Sequence, residues 1–171
     1  NGLPLPEGSD PAPDPEIQTS DLTLLSTYIG FLAQPPRRSL DDPEDQAASD
    51  EGQNTFESIG CASCHTPTFV TGDNQSAALD RKSFRIYSDL LLHDMGPELA
   101  DICAPDASPS EWRTARLVGL YLRSEFLHDG RARSVRDAIL MHGGEAESAR
   151  YRFQDLTPEL QQSVLLFLRT L

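Results

Sequence analysis

Four apolar residues recur at helical spacing near the C-terminus of the chain: Leu160, Val164, Leu168 and Leu171. Side chains three to four residues apart lie on one face of a helix, so this pattern predicts a helix that buries that face. Thr157 can cap its first turn, and Pro158 suits the first helical position, where no backbone N–H is needed. The last helix is therefore expected to begin at Thr157-Pro158.

Capping signals predict two more helices. One runs from about Pro43 to Ile59, and Gly60 ends it because glycine readily takes the left-handed conformation that follows a helix. The other begins at Ser134, with Asp137 three residues later in a near capping box, and ends at Gly143-Gly144.

The first part of the chain has a different composition. Residues 1–16 contain five prolines, which is typical of an extended arm without a core of its own. A short apolar segment, Leu22 to Leu32, follows; Asp21 or Ser20 can cap it, and it ends before Pro35-Pro36. The pattern divides the chain into residues 1–46, an arm with one short helix, and residues 47–171, the main domain.

No segment shows the alternation of apolar and polar residues that is typical of strands. The sequence therefore predicts an all-α fold, with long loops and an extended N-terminal arm. Long loops are unusual in an ordinary domain but are expected where a chain wraps around a cofactor.

The net charge of the chain makes some classes of partner unfavourable. The chain has 171 residues and a net charge of −13, so nucleic acid and anionic membrane surfaces are poor partners. No stretch approaches the roughly 18 apolar residues of a membrane-spanning helix. Residues 113–152 nevertheless hold eight arginines against five acids. This basic segment is either a solvated face or a binding site for an anionic group.

Two of the three cysteines lie in one motif, Cys61-Ala62-Ser63-Cys64-His65. This pattern is typical of covalent haem c attachment, because two intervening residues let both thiols reach the vinyl groups of one haem edge. His65 is then positioned as an iron ligand. A zinc site would need a second pair of Cys or His, and a redox-active cysteine pair is expected in a βαβ unit, neither of which the sequence predicts. We therefore predict one covalently bound haem c.

The third cysteine, Cys103, lies outside this motif. We expect it to be an inert thiol, with an intermolecular disulfide as the alternative.

Three side chains are candidates for the iron ligand opposite His65: Met95, Met141 and His142. At 100° per residue, His142 lies in the middle of the apolar face that Val135 and Ile139 define, whereas Met141 lies off it. The pattern favours His142, with the two methionines or an open position as alternatives. A thioether ligand would raise the haem potential, two imidazoles would leave it lower, and an open site would permit peroxide or oxygen chemistry.

Helices on either side of the motif resemble those of class I cytochromes c. There, a glycine and an aromatic residue before the motif pack against a C-terminal helix. Gly52 and Phe56 match the first helix, and the segment from Thr157 with Phe167 matches the second. This resemblance implies that the main domain is cytochrome c-like.

Four segments carry a second resemblance and follow one another in the chain: Ile59 to Pro67, Tyr87 to Gly96, Glu111 to Thr114 and Phe126 to Ala132. They resemble the di-haem oxidoreductase group, which is related to bacterial di-haem cytochrome c peroxidase and to the di-haem enzyme that matures tryptophan-derived quinone cofactors. The resemblance implies that this chain is similar to the C-terminal, electron-transfer haem domain of that group.

The resemblance also implies roles for single residues. In the peroxidases a methionine on the helix after the His-Asp-Gly motif ligates this haem, and the matching position here is His142. His128 would hydrogen-bond a haem propionate, or simply form a turn. Arg113 and Arg116 would bind propionates, and Trp112 would pack on the haem; for all three, ordinary packing within the protein is the alternative.

This sequence also departs from the group. The second Cys-x-x-Cys-His and the peroxide-reacting site of its N-terminal domain do not occur here, the usual proline after Arg-Thr is Ala115, and His93 has no role derivable from the sequence.

The function that follows is that of a c-type cytochrome electron-transfer domain with His/His ligation, which passes single electrons to a redox protein or a second haem domain. The alternative is a peroxidase-type or oxidase enzyme fragment with an open haem site, and the domain could also be a subunit of a larger redox assembly. Because haem c is assembled outside the cytoplasm, we expect a periplasmic or other extracytoplasmic location.

Overall fold

A computed structural model of the protein describes residues 15–101 and 106–171. In this part of the chain the helices are α1 (Thr19–Gly30), α2 (Pro43–Ser58), α3 (Val135–Leu140), α4 (Glu147–Gln154) and α5 (Pro158–Leu168). The strands are β1 (Thr68–Val70), β2 (Ser83–Arg85), β3 (Leu92–Asp94) and β4 (Glu111–Arg113). Short 3₁₀ turns cover Cys61–Ser63, Pro97–Leu99, Leu120–Leu122 and Gly144–Ala146.

The core forms where α2 crosses α5. A Cβ atom on Gly52 would lie 1.9 Å from the Ser163 carbonyl oxygen, so only glycine permits this close approach. One turn later, the rings of Phe56 and Phe167 pack with centroids 5.5 Å apart. Phe167 and Val164 are fully buried. The predicted packing of Gly52 and Phe56 against the C-terminal helix is confirmed.

The helix ends follow the capping residues in the sequence. The Ser134 hydroxyl accepts a hydrogen bond from the Asp137 N–H, and the Thr157 hydroxyl accepts one from the Leu160 N–H. Gly60 follows α2 with a φ of +94°, in the left-handed region. These caps confirm the predicted starts of α3 and α5 and the predicted end of α2.

The all-α prediction was wrong. Strand β1 pairs antiparallel with β2, and β3 pairs antiparallel with β4, so the described fold mixes α and β. Each strand has only three residues, and β1, β2 and β3 each have one half-buried residue between two exposed ones. So short an element offers no run of alternation in the sequence, and its stability comes from pairing with distant residues.

Helix α1 contributes no buried side chain to the core. After it, the chain returns to the core at Arg37, whose Nε donates a hydrogen bond to the Thr170 hydroxyl at 2.7 Å and whose guanidinium lies 5.2 Å from the centre of the Phe167 ring. The division into residues 1–46 and 47–171 stays a prediction.

Two other sequence predictions cannot be compared with the described residues. The Pro-rich part of the arm up to residue 14 and Cys103 lie outside them. Among the helices that are described, none is both long enough and apolar enough to cross a membrane.

Candidate haem site

Two imidazole rings face each other beside the Cys-x-x-Cys-His loop. The ring centroids of His65 and His142 are 6.5 Å apart, with 46° between the ring planes. Metal–imidazole nitrogen bonds are about 2.0–2.1 Å long at zinc, so two rings on opposite sides of one ion of similar size should have centroids roughly 6.3 Å apart. The observed distance between the two centroids is close to that value.

In both rings, Nδ1 is the nitrogen that lies within hydrogen-bond distance of a backbone carbonyl. Nδ1 of His65 lies 3.0 Å from the Tyr87 carbonyl oxygen, and Nδ1 of His142 lies 2.7 Å from the Ala138 carbonyl oxygen. A carbonyl oxygen can only accept, so each Nδ1 carries the proton and each Nε2 keeps its lone pair. Metal-ligating histidines are typically oriented by such a backbone partner on the other ring nitrogen.

Burial keeps both imidazoles neutral. It lowers the pKa of His65 to about 4, against smaller opposing effects of the Tyr87 and Ala115 carbonyls. Burial also lowers the pKa of His142, and the nearby positive charge of Arg150 adds to this effect. A neutral imidazole is the form that binds a metal.

The end of α2 positions His65. The left-handed Gly60 turns the chain into a short 3₁₀ turn, and the His65 N–H donates to the Cys61 carbonyl at 3.0 Å. Arg152 holds the helix end, since one guanidinium nitrogen donates to the Ile59 carbonyl at 2.8 Å. Phe56 lies beside the His65 ring, with centroids 6.3 Å apart, and so connects the site to the α2–α5 core.

Both cysteines of the motif are free thiols in this structure. Burial raises the pKa of the Cys61 thiol to about 11, and it also raises the pKa of Cys64, together with the negative charges of Asp89 and Glu145. A redox-active cysteine pair depends on a lowered thiol pKa, so this environment does not suit one.

His142 lies two positions beyond Leu140, the last residue of α3. Its N–H donates to the Ile139 carbonyl at 3.1 Å, which holds it against the end of the helix. The next two residues pack closely on the end of β3 and the residue after it: a Cβ atom on Gly143 would lie 2.8 Å from the Met95 carbonyl oxygen, and one on Gly144 would lie 2.1 Å from the Asp94 carbonyl oxygen. This contact fixes the turn that carries His142.

Apolar side chains lie exposed next to the motif. The Asp89 N–H donates to the Cys64 carbonyl at 2.8 Å, and the three leucines that follow, Leu90, Leu91 and Leu92, are 44%, 61% and 49% exposed. Three consecutive exposed leucines beside a half-buried pair of histidines are the kind of surface that an apolar cofactor would cover.

The family model described as "Di-haem oxidoreductase, putative peroxidase" matches residues 6–171. The chain belongs to the di-haem oxidoreductase family. This confirms the resemblance to the group that the sequence motifs indicated, and membership of the family indicates a haem-binding oxidoreductase domain. No curated protein matches the chain.

A solved structure, hydrazine synthase of Kuenenia stuttgartiensis pressurized with xenon, is similar in fold. It shares 20% sequence identity with this chain at a TM-score of 0.57, over 90% of this chain and 56% of the hydrazine synthase chain. At that identity the likeness concerns the fold alone, and this chain spans little more than half the length of that one.

The residues around the two imidazoles fit a haem. The site offers two imidazoles whose centroids are 6.5 Å apart, two thiols in the same loop as His65, and exposed leucines that the apolar ring system of a haem could cover. It also offers an unused donor, because Nε of Arg150 is buried without a hydrogen-bond partner in the described part of the chain. An anionic group such as a haem propionate would satisfy that donor.

Sequence reasoning did not find Arg150. The residue lies on α4, where one guanidinium nitrogen donates to Glu147 at 2.9 Å and the group lies 4.7 Å from the centre of the Tyr151 ring. It belongs to the arginine-rich segment, but no local motif distinguishes it from the other arginines there. Its relation to His142 arises only when α4 packs next to α3.

The other predicted contact residues form a separate group. The Trp112 and His128 rings stack with centroids 3.8 Å apart, and the Trp112 Nε1–H donates to the Leu99 carbonyl at 2.9 Å. His128 lies 3.4 Å from an Asp101 carboxylate oxygen. The structure thus brings these two rings together and gives each a protein partner, and their haem contacts stay predictions.

The remaining predicted residues lie at the surface or on the neighbouring turn. Arg113 and Arg116 are exposed, and Met141 is 37% exposed at the end of α3. Met95 is half-buried, and its N–H donates to the Ser110 carbonyl at 2.8 Å. Neither methionine shares the paired arrangement of His65 and His142.

Proposed function

We propose that this domain carries one haem c, attached through Cys61 and Cys64, with His65 and His142 as the two iron ligands, and that it transfers single electrons. The observation that carries the proposal is the facing pair of imidazoles, 6.5 Å apart with both Nδ1 atoms bonded to backbone carbonyls. When bound, the haem supplies an iron that changes between Fe(III) and Fe(II).

The chain's own residues would hold that iron in one coordination state. The carbonyls of Tyr87 and Ala138 keep each imidazole in the tautomer whose Nε2 can ligate, which reduces the rearrangement that accompanies a change of charge. His142 fills the position that a peroxidase would leave open. Imidazole on both sides also favours a lower haem potential than a thioether would.

The alternative is an enzyme with an open haem site, for which the family description is the supporting observation. It requires His142 to leave the iron or never to bind it. The hydrogen bond from Nδ1 to Ala138 at 2.7 Å and the tight Gly143-Gly144 turn oppose such a movement. Electron transfer is therefore the better supported function.

Substitution of His142 tests the proposal. In the haem-loaded His142→Ala variant, the oxidised protein should change from a low-spin to a high-spin visible and paramagnetic-resonance spectrum and should bind cyanide readily. The matched control is His128→Ala, which removes a histidine stacked on Trp112 and should leave the low-spin spectrum intact. Unchanged spectra in His142→Ala would rule out His142 as the ligand.

A separate measurement tests the covalent attachment of the haem. Haem should remain with the polypeptide after denaturation and acid–acetone extraction, and it should become extractable in a variant that lacks both cysteines. Complete extraction from the unmodified protein would contradict the c-type assignment.

The partner we propose is another redox protein or a second haem domain, within a larger redox assembly. The family is di-haem by description, whereas this sequence contains one Cys-x-x-Cys-His motif. The extracytoplasmic location expected for haem c assembly is part of the same proposal.

A further inference from the structure

His93 lies between two carboxylates next to the haem attachment loop. Its Nε2 is 2.8 Å from an Asp89 oxygen, and its Nδ1 is 2.8 Å from a Glu145 oxygen. The His93 side chain is only 16% exposed, and the Cys64 sulfur lies 3.8 Å from its Nδ1. The sequence motifs include this histidine, but the proposed haem ligation leaves it without a role.

The two carboxylates determine the state of the ring. A carboxylate can only accept, so both ring nitrogens donate and the side chain is an imidazolium cation. The hydrogen bonds of Glu145 and then Asp89 raise the pKa of His93 accordingly. With no free lone pair, His93 is neither an iron ligand nor a member of a metal site, although Cys64, Asp89 and His93 place potential ligand atoms within 4.8 Å of one another.

The two partners of His93 belong to different segments of the candidate site. Asp89 belongs to the segment that is bound to the loop of Cys64 and His65, because its N–H donates to the Cys64 carbonyl at 2.8 Å and it lies two residues after Tyr87, whose carbonyl holds the His65 ring. Glu145 belongs to the turn that carries His142, three residues after that histidine. Its second oxygen accepts the Asp94 N–H at 3.0 Å, so the carboxylate is bound at both ends.

We infer that His93 is a positioning residue: as a cation between Asp89 and Glu145, it holds the loop of Cys64 and His65 against the turn of His142 and so maintains the spacing of the two imidazoles. The inference rests on the proposed His65/His142 ligation. The bridge joins two segments more than 50 residues apart in the chain, and within the described residues no other side chain bonds to both of them.

The test is spectroscopic and uses the haem-loaded full chain. His93→Gln keeps a polar side chain but cannot bridge two carboxylates as a cation. Its haem content should be unchanged, while the low-spin resonance broadens, a high-spin fraction appears and cyanide binds about tenfold faster, which corresponds to the loss of one charge-assisted hydrogen bond. His93→Lys, which keeps the charge, should restore most of the unmodified spectrum.

Two further variants keep the test decisive. Glu145→Gln alters a carboxylate whose side chain is 56% exposed, so it should fold even if His93→Gln does not, and it should give the same spectral change. Arg81→Gln removes an exposed ion pair to Asp73, which involves none of the histidines or their carboxylate partners, and should change nothing.

The outcomes separate this inference from the function it rests on. An unmodified protein without a low-spin bis-imidazole spectrum would contradict the proposed function itself. A low-spin unmodified protein whose spectrum and cyanide binding are the same in His93→Gln and Glu145→Gln would overturn the positioning role of His93 alone.

Discussion

At the scale of single residues, the ring nitrogens that carry a proton determine the role of three histidines. His65 and His142 each donate Nδ1–H to a backbone carbonyl and keep Nε2 free. His93 donates from both nitrogens to carboxylates. The same side chain therefore serves as a candidate ligand at two positions and as a cation at the third, and only the partners in the folded chain distinguish them.

Arg150 gives a prediction about the haem potential. Its positive charge acts on His142, and it should favour the reduced, less positive iron. We expect Arg150→Gln to lower the midpoint potential by roughly 30–60 mV, since about 59 mV corresponds to a tenfold change for one electron. Redox titration measures this, with Arg81→Gln as control. An equal or higher potential in Arg150→Gln would contradict the placement of Arg150 beside the haem.

The bridge of Asp89, His93 and Glu145 should have a defined pH window. The raised pKa of His93 means that its stabilisation is complete below its ordinary value of 6.5 and is lost as the pH rises through the raised value. Burial alone would raise the pKa of Asp89, but hydrogen bonds from Leu91, Thr114 and His93 lower it. The hydrogen bond of His93 lowers the pKa of Glu145. The stabilisation by both acids is therefore complete above 4.5, the higher of their two ordinary values, and is lost as the pH falls through the lowered values.

Thermal unfolding of the unmodified protein and His93→Gln measures this window. The difference between their melting temperatures should be greatest between pH 4.5 and 6.5 and should shrink on both sides. A difference that stays constant from acid to alkaline pH would mean that His93 stabilises the fold by packing alone.

At the scale of elements, the core where α2 crosses α5 packs against the candidate site. Phe56 contacts both Phe167 and the His65 ring, so a shift of either helix would reach the proposed ligand. The crossing depends on Gly52, where a Cβ atom would lie 1.9 Å from the Ser163 carbonyl oxygen and 2.9 Å from the Val164 nitrogen.

Gly52→Ala should therefore destabilise the protein. We expect a loss of about 1–3 kcal/mol in the free energy of unfolding, as for overpacked cores. The matched control is Gly30→Ala, since Gly30 is also helical and has nothing within 4 Å of an added Cβ atom. That change should be neutral or stabilise by up to about 1 kcal/mol. Chemical denaturation measures both, and a Gly52→Ala protein as stable as the unmodified one would contradict the close crossing.

The elements also show which parts of the structure can be predicted from local sequence signals and which cannot. Ser134, Thr157 and Gly60 determine helix ends through bonds to residues a few positions away, so the sequence alone predicts them. Strands β3 and β4 are joined by pairs such as His93 with Trp112, nineteen positions apart, and their three-residue length leaves no local pattern. Arg150 and Glu145 are likewise recognisable as parts of the site only after the chain has folded.

At the scale of the whole molecule, one small region concentrates the features of a redox site in an otherwise acidic chain. The net charge is −13, yet the neutral histidines, the unused Arg150 donor and the exposed leucines meet around the Cys-x-x-Cys-His loop. The family membership could be predicted from the sequence, because the Cys-x-x-Cys-His motif and the other motifs of the family are contiguous patterns. The spacing of the two imidazoles could not, because it depends on how the turn after α3 packs on the chain after β3.

The central claim is that one iron lies between His65 and His142. Low-temperature paramagnetic resonance of the oxidised, haem-loaded protein, with a far-red absorption spectrum, tests it most directly. The account predicts a single low-spin bis-imidazole signal and no sulfur-to-iron band. A high-spin signal, or a sulfur-to-iron band that assigns Met95 or Met141 to the iron, would contradict it.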